Sequence, residues 1–260
     1  MVFAPHPDDE TLACGGTIGQ KRRANAVVTV VFMTDGRTSH AHQMPVEELV
    51  QLRRHEASAA CERLGVAPKD VVFLDFPDGD LERHQAQAVN RVCRILSERR
   101  PIEVYVPYKD DPQVDHVSTH DIVMRALTCH PEAVTVFAYP VWYWNHWPWT
   151  HLIRPGRRET LNALRHTLAA WFGLRMLRLF PHVVDVGDTL VDKREALAAH
   201  RTQMERMRAG TAWPVLADVS DGDFLDCFLQ PFELFHRHEL RAGRAYASAE
   251  VVPTEMTREV

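Results

Sequence analysis

Apolar residues along this chain fall into short unbroken runs separated by longer stretches in which they recur at helical spacing. Ala26 to Met33 (AVVTVVFM) is continuous and rich in β-branched residues, the pattern of a strand buried on both faces of a parallel sheet. Shorter runs follow the same style at Val2 to Ala4, Val71 to Phe73, Val104 to Val106, Val134 to Tyr139 and His182 to Val186. Between them, Thr11 to Arg23, Pro45 to Leu64, Gln85 to Arg99, Ser118 to Leu127 and Asp192 to Met207 read as helices. Pro45 to Leu64 is the clearest, with Glu47 and Glu48 in the first turn, Leu49, Leu52, Ala60 and Leu64 on one side, and Gly65 as the C-cap. Alternation of strand and helix predicts an α/β fold with a mainly parallel sheet covered by helices on both faces.

Two segments depart from this rhythm. Trp142, Trp144, Trp147 and Trp149 crowd one loop, which reads either as packed aromatic contacts or as an aromatic wall beside a site. Leu161 to Leu179 then mixes Leu, Trp and Phe with Arg165, His166, Arg175 and Arg178; packing against the body is the commoner fate of such a helix, a lid or a membrane-surface segment the rarer one. One domain is expected over 1–247, with a Trp-rich, helical specificity segment at about 140–181, and a mobile tail over 248–260. The run Val2 to Ala4 is short for a central strand, so either this strand is truncated or residues upstream are missing.

Length and charge narrow the function. With 260 residues the chain can bury a sizeable core, and a net charge of −5 with both signs well mixed argues against a nucleic-acid partner. Five scattered cysteines without a C-x-x-C pair fit reduced thiols. No apolar run reaches bilayer length and no signal-like segment opens the chain, so a cytoplasmic protein is expected; a homo-oligomer stays open. Gly15, Gly16 and Gly19 do not form G-x-G-x-x-G, so a dinucleotide fingerprint is absent after the first strand.

The chemistry concentrates in PHPDDE, Pro5 to Glu10, directly after the first apolar run. Adjacent carboxylates at a strand exit repel one another and call for a cation or a helix N-terminus. His6 and Asp9 are spaced to turn toward one ion, and the loop after Val106 offers Asp110, Asp111, Asp115, His116 and His120 at another strand end. With His6, Asp9 and His116 as ligands, a zinc ion (Fe2+ or another divalent metal being the alternative) keeps an open position, and Asp8 is the adjacent base.

These residues resemble the LmbE-like, or PIG-L, family of zinc-dependent N-deacetylases. The resemblance rests on PHPDDE and on Asp115-His116, with Arg53 and Glu56 in an R-x-x-E helix, FLDFPDG from Phe73 to Gly79, and Lys193, His200 and Gln203 further on. It implies a Rossmann-like fold, a small-molecule amino-sugar substrate of the N-acetylglucosamine type, and hydrolysis of its N-acyl group. It implies His6, Asp9 and His116 as metal ligands, Asp8 as general base, Arg53 as a substrate-binding group and Asp115 as a supporting carboxylate. Many members place a histidine at the position of Gln113 to stabilise the oxyanion; a glutamine amide donates a hydrogen bond there without charge or a transferable proton. The competing reading is a catalytically silent, metal-containing module that binds a glycan or a partner. Phosphoester hydrolysis is weaker, since no Gly-rich phosphate cradle and no second full ligand set is evident.

Overall fold

The computed structural model describes residues 1–153, 156–207 and 213–241. The expected tail at 248–260 and the domain limit at 247 lie outside the described residues. Among those described, seven strands form one sheet: β1 (Val2–Ala4), β2 (Val30–Thr34), β3 (Val71–Phe76), β4 (Glu103–Pro107), β5 (Val134–Tyr139), β6 (His182–Asp185) and β7 (Phe232–Leu240), in the order β3-β2-β1-β4-β5-β7-β6. The first five run parallel, and β7 is antiparallel to both of its neighbours.

Three residues suffice for β1 because it is clamped on both sides. Its residues pair in register with Val30, Val31 and Phe32 of β2, and Tyr105 of β4 donates its N–H to the Met1 carbonyl. Phe3 and Ala4 are wholly buried, as are Val31, Phe32, Val104 and Val106 beside them.

The α-helices among the described residues are α1 (Asp9–Arg23), α2 (Val46–Arg63), α3 (Gln85–Arg99), α4 (Val114–Leu127), α5 (Arg157–Ala169), α6 (Leu174–Leu179), α7 (Leu190–Ala199), α8 (Arg201–Met204) and α9 (Asp223–Asp226). From β1 the chain winds outward to β2 and β3, then returns past β1 to β4 and β5. Right-handed crossovers therefore put α1 and α2 on one face and α3 and α4 on the other. In agreement, α1 and α2 both pack on α7, and α3 packs on α4. The α1–α7 side is tight: a Cβ on Gly16 would meet Val186 Cβ at 2.5 Å. The winding reverses between β1 and β4, and a crevice at such a switch point is where open α/β sheets bind ligands.

The observed elements differ from the sequence pattern at several points; β7 has no counterpart in it, and the stretch expected as one helix over 161–179 holds two, α5 and α6. β2 starts at Val30, leaving Val27 in solvent. The helix expected from Ser118 begins at Val114, so Asp115 and His116 sit in a helical first turn and not in a loop. The helix expected over Asp192 to Met207 breaks at His200 into α7 and α8. Leu161, Leu164 and Leu168 on α5 point to solvent while Ala163 and Thr167 face inward, against the expectation of packing.

Candidate active site

Two helix N-termini meet at the switch point. The chain leaves β1 at Pro5, whose carbonyl accepts the backbone N–H (3.0 Å) and side-chain hydroxyl (2.8 Å) of Thr34 at the end of β2. This fixes the turn carrying His6 to Asp8 before α1 starts at Asp9. Across the crevice, Gln113 caps α4 by accepting the Asp115 N–H at 2.7 Å. Asp9 and Glu10 in one first turn and Asp115 in the other thus lie where helix dipoles favour negative charge.

His6, Asp9 and His116 each present a donor atom, and the three atoms lie within 4.8 Å of one another. Asp9 Oδ2 is 3.2 Å from His6 Nδ1 and 3.3 Å from His116 Nε2. The far nitrogen of each imidazole faces another carboxylate: His6 Nε2 is 3.1 Å from Asp78 and 3.3 Å from Asp115, and His116 Nδ1 is 3.4 Å from Asp111. Carboxylates behind ligating imidazoles fix their tautomer and raise their basicity. His6, Asp78 and Asp115 form a second cluster of similar size. Its carboxylates are already occupied, however: Asp115 accepts the N–H of Gly79 (2.6 Å) and Leu81 (3.3 Å), and Asp78 accepts the N–H and hydroxyl of Thr38. By contrast both nitrogens of fully buried His116 lack a hydrogen bond of good geometry. Orphaned imidazole nitrogens beside a surplus of carboxylate are what a divalent cation satisfies, so the residues at His6, Asp9 and His116 fit the metal that the sequence implied.

The electrostatics agree. Burial opposes the charged form of His6, yet Asp115, Asp78 and Asp9 outweigh it and hold its pKa well above the usual imidazole range. Burial likewise opposes a charge on His116, and Asp9 and Asp111 overcome it. For Asp9, burial is overridden by the two imidazoles and the pKa falls below the ordinary carboxylate range.

Asp8 is built differently from Asp9. Burial raises its pKa to about 6, with the Asp9 charge adding to the rise and Arg53, His200 and His6 opposing it. Its backbone sits at φ 133°, a region that favours glycine, and a residue held there is over-determined by its surroundings. The surroundings are visible: Asp8 Oδ2 accepts from Gln203 Nε2 at 2.9 Å and Arg53 Nη2 at 3.2 Å, while the Asp8 N–H donates to Glu10 at 3.0 Å. Glu10 in turn accepts from His200 Nε2 at 2.8 Å and from the Thr11 hydroxyl at 2.6 Å.

Arg53 is buried beside the Asp8 turn. It is 2% exposed, its Nη2 also bonds the Pro7 carbonyl, and its Nη1 holds the Gly36 carbonyl at 3.2 Å and the Ser39 hydroxyl at 3.1 Å. Gly36 is required here, since it stands at φ +67° and a Cβ would come 2.7 Å from that Nη1. Arg53 therefore braces the Asp8 turn from behind. Gln113 spends its amide oxygen on the α4 cap, which leaves its NH2 as the group available to a ligand. His120 lies one turn beyond His116, buried, with Nδ1 donating to the Pro107 carbonyl at 2.8 Å.

Of the tryptophans, Trp142 stacks on Phe224 at 4.8 Å, Trp144 meets Trp149 edge-on at 5.3 Å, and Trp147 is exposed. The segment is tied to the site through Asp111, whose Oδ2 accepts the N–H groups of Val141 and Tyr143. The sequence pattern does not single out Asp78, and it offers Asp111 only as one of the polar residues in the loop after Val106. An aspartate in a turn is usually a turn-former, and their one signal was position after the third and fourth strands.

The fold is that of a Rossmann-like α/β protein, with donor atoms that could hold a divalent cation gathered at its topological switch point. A family model described as PIG-L, GlcNAc-PI de-N-acetylase, matches residues 1–127. The 1D-myo-inositol 2-acetamido-2-deoxy-alpha-D-glucopyranoside deacetylase of Mycobacterium sp. strain KMS is 31% identical over 236 residues, 76% of this chain and 72% of its own. Among solved structures, N,N'-diacetylchitobiose deacetylase from Pyrococcus horikoshii superposes with a TM-score of 0.65 at 18% identity, covering 91% of this chain and 82% of its own. GalB, the 4-carboxy-2-hydroxymuconate hydratase of Pseudomonas putida KT2440, gives 0.62 at 15% identity over 98% of each chain. At those identities the two structures, a deacetylase and a hydratase, bear on the fold alone. The chain belongs to the PIG-L, or LmbE-like, family.

Proposed function

We propose that this chain is a zinc-dependent hydrolase that removes the N-acetyl group from an amino sugar of the N-acetylglucosamine type or from its conjugate. The observation that carries the proposal is the pair of carboxylate-backed imidazoles converging with Asp9 beside a separately held Asp8. Membership in a family whose relatives are named as amino-sugar deacetylases supports the substrate class. Zinc held by His6, Asp9 and His116 supplies Lewis-acid polarisation of the acyl oxygen and lowers the pKa of water.

The chain's own residues do the rest. Asp8 takes a proton from the attacking water as the new C–O bond forms, and returns it to the amine nitrogen as the C–N bond breaks, leaving acetate and a free amine. Gln203, Arg53 and Glu10 keep Asp8 oriented through both transfers. The Gln113 NH2 donates to the oxygen that gains negative charge, a neutral donor in place of a cationic one. Asp115 holds His6 and the Gly79 to Leu81 turn in register. Residues 140–181 are assigned substrate selection because Asp111 couples them to His116. Five free cysteines support a reducing, cytoplasmic setting.

The deciding experiment is free-amine release from a panel of N-acetylglucosamine conjugates by zinc-loaded protein beside His116→Ala. Release that disappears in the variant supports the hydrolase. No release from any conjugate, with zinc verified in the protein, shifts the assignment to the silent binding module, the reading that Gln113 in place of a histidine favours.

A further inference from the structure

Helix α5 is built inside out. Its buried stripe consists of Ala163 and Thr167, continued by Ala170, while its leucines stand on the far side: Leu161 is 60% exposed, Leu164 39% and Leu168 52%. Positions i, i+3 and i+7 share one helix face, so these leucines make a continuous apolar stripe in water. The following turn and α6 expose apolar side chains as well. Trp171 and Phe172 are 60% and 56% exposed, and Leu174 and Leu177 are 65% and 64% exposed. Trp171 and Phe172 also hold left-handed backbone, φ 51° and 54°, which is costly for bulky side chains. Two aromatic rings are thus presented to solvent on a strained turn where a glycine or asparagine would rest without strain.

The charge around this face is as one-sided as its apolarity. Arg157, Arg158, Arg165, Arg175 and Arg178 are exposed along the same two helices. Between Asn145 and Val184 the sequence has a single acidic residue, Glu159, although the whole chain carries a net −5. Leucine and aromatic side chains flanked by arginines, on two consecutive helices each too short to span a bilayer, match the chemistry of an interfacial membrane segment. Among the described residues no helix is long and apolar enough to cross a membrane.

We propose that the α5–α6 segment docks this protein on the surface of an anionic phospholipid bilayer, its leucines, Trp171 and Phe172 entering the headgroup boundary and its arginines facing lipid phosphates. The surface connects to the site: Phe180, just after α6, packs edge-on against Tyr108 at 4.9 Å and Tyr143 at 5.7 Å, and Tyr108 opens the loop that bears Asp111. The inference does not depend on the reaction assigned above.

The test is co-sedimentation of the full chain with vesicles of phosphatidylcholine alone and of phosphatidylcholine with phosphatidylglycerol. The intact protein is expected to bind the anionic vesicles, to leave them as salt is raised, and to ignore the neutral ones. Trp171→Asn with Phe172→Asn relaxes the backbone and removes the rings, so a cooperative melt with lost binding supports the proposal. Arg165→Gln with Arg175→Gln, which changes no apolar contact, is expected to weaken binding by about fivefold per arginine. Absence of vesicle binding at low salt, equal binding to neutral vesicles, or undiminished binding by both variants overturns it. So does self-association in solution that the asparagine variant dissolves, which would assign the face to a second copy of the chain.

Discussion

Around β1 and β4 the chain buries charge, and along α5 and α6 it exposes leucine. In the first region Asp8, Asp9, Glu10, Asp78, Asp111 and Asp115 are all under 10% exposed, and each touches an imidazole, a guanidinium, an amide or a backbone N–H. Every unpaired buried ion costs several kcal/mol, so such a cluster persists only with its partners in place. In the second region each outward leucine, 39% to 65% exposed, forgoes part of the roughly 1.5–3 kcal/mol that full burial gives. One region meets its cost with internal partners; in the other, among the described residues, the leucines stand in solvent and Phe172 has Trp147 edge-on at 6.2 Å. The contrast teaches where to look for a ligand: inside the network at His116, both of whose ring nitrogens lack a hydrogen bond of good geometry, and outside it at the leucine face that the described residues leave exposed.

The largest effect should come from the buried network. Asp8→Asn keeps size and most hydrogen bonding but cannot carry a proton, so turnover is expected to fall by about 10²- to 10⁴-fold. Metal content should stay close to that of the parent, because Asp8 is not among the three converging donors. Free-amine release measured beside metal analysis checks this. A parental rate in the variant would remove Asp8 from the chemistry and leave the buried cluster as architecture only.

A smaller loss separates partners from bystanders. His200→Ala leaves Glu10, 0% exposed, without its imidazole donor. Stability should drop by about 3–5 kcal/mol, the cost of stranding one member of a buried pair. Denaturant unfolding reads this directly, and His200→Gln, which can still donate, should recover part of it. If His200→Ala is neutral, the network is looser than its distances say.

Much of this contrast is legible in the sequence, but unevenly. His6, Asp8, Asp9 and His116 stand out because strand ends are where a parallel sheet exposes chemistry, and the apolar runs mark those ends. The break at His200 is invisible, since KREALAAHRTQM contains neither glycine nor proline. Tertiary partners make it: His200 turns to Glu10, and Glu56 takes both the N–H and the hydroxyl of Thr202. β7 escaped for a related reason. Its inward face includes Glu233, buried against Lys193 at 2.7 Å and accepting the N–H groups of Gly16 and Thr17, so the strand's apolar alternation is interrupted where it matters. The outward leucines of α5 invert the assumption that links periodicity to burial; their spacing gives the helix correctly and its orientation wrongly.

The smallest expected effect tests that inversion. Leu12 on α1 is 2% exposed and Leu168 on α5 is 52% exposed. Leu12→Asn should cost at least about 2–5 kcal/mol, since it removes core contacts and buries an amide. Leu168→Asn should stay within about 0.5 kcal/mol, as surface substitutions do. Parallel urea titrations of the two variants decide the matter, because both lose the same side chain from a helix and only the surroundings differ. Equal losses would mean that Leu168 has a covered position in the isolated chain, and the outward face of α5 would then hold nothing for a bilayer to meet.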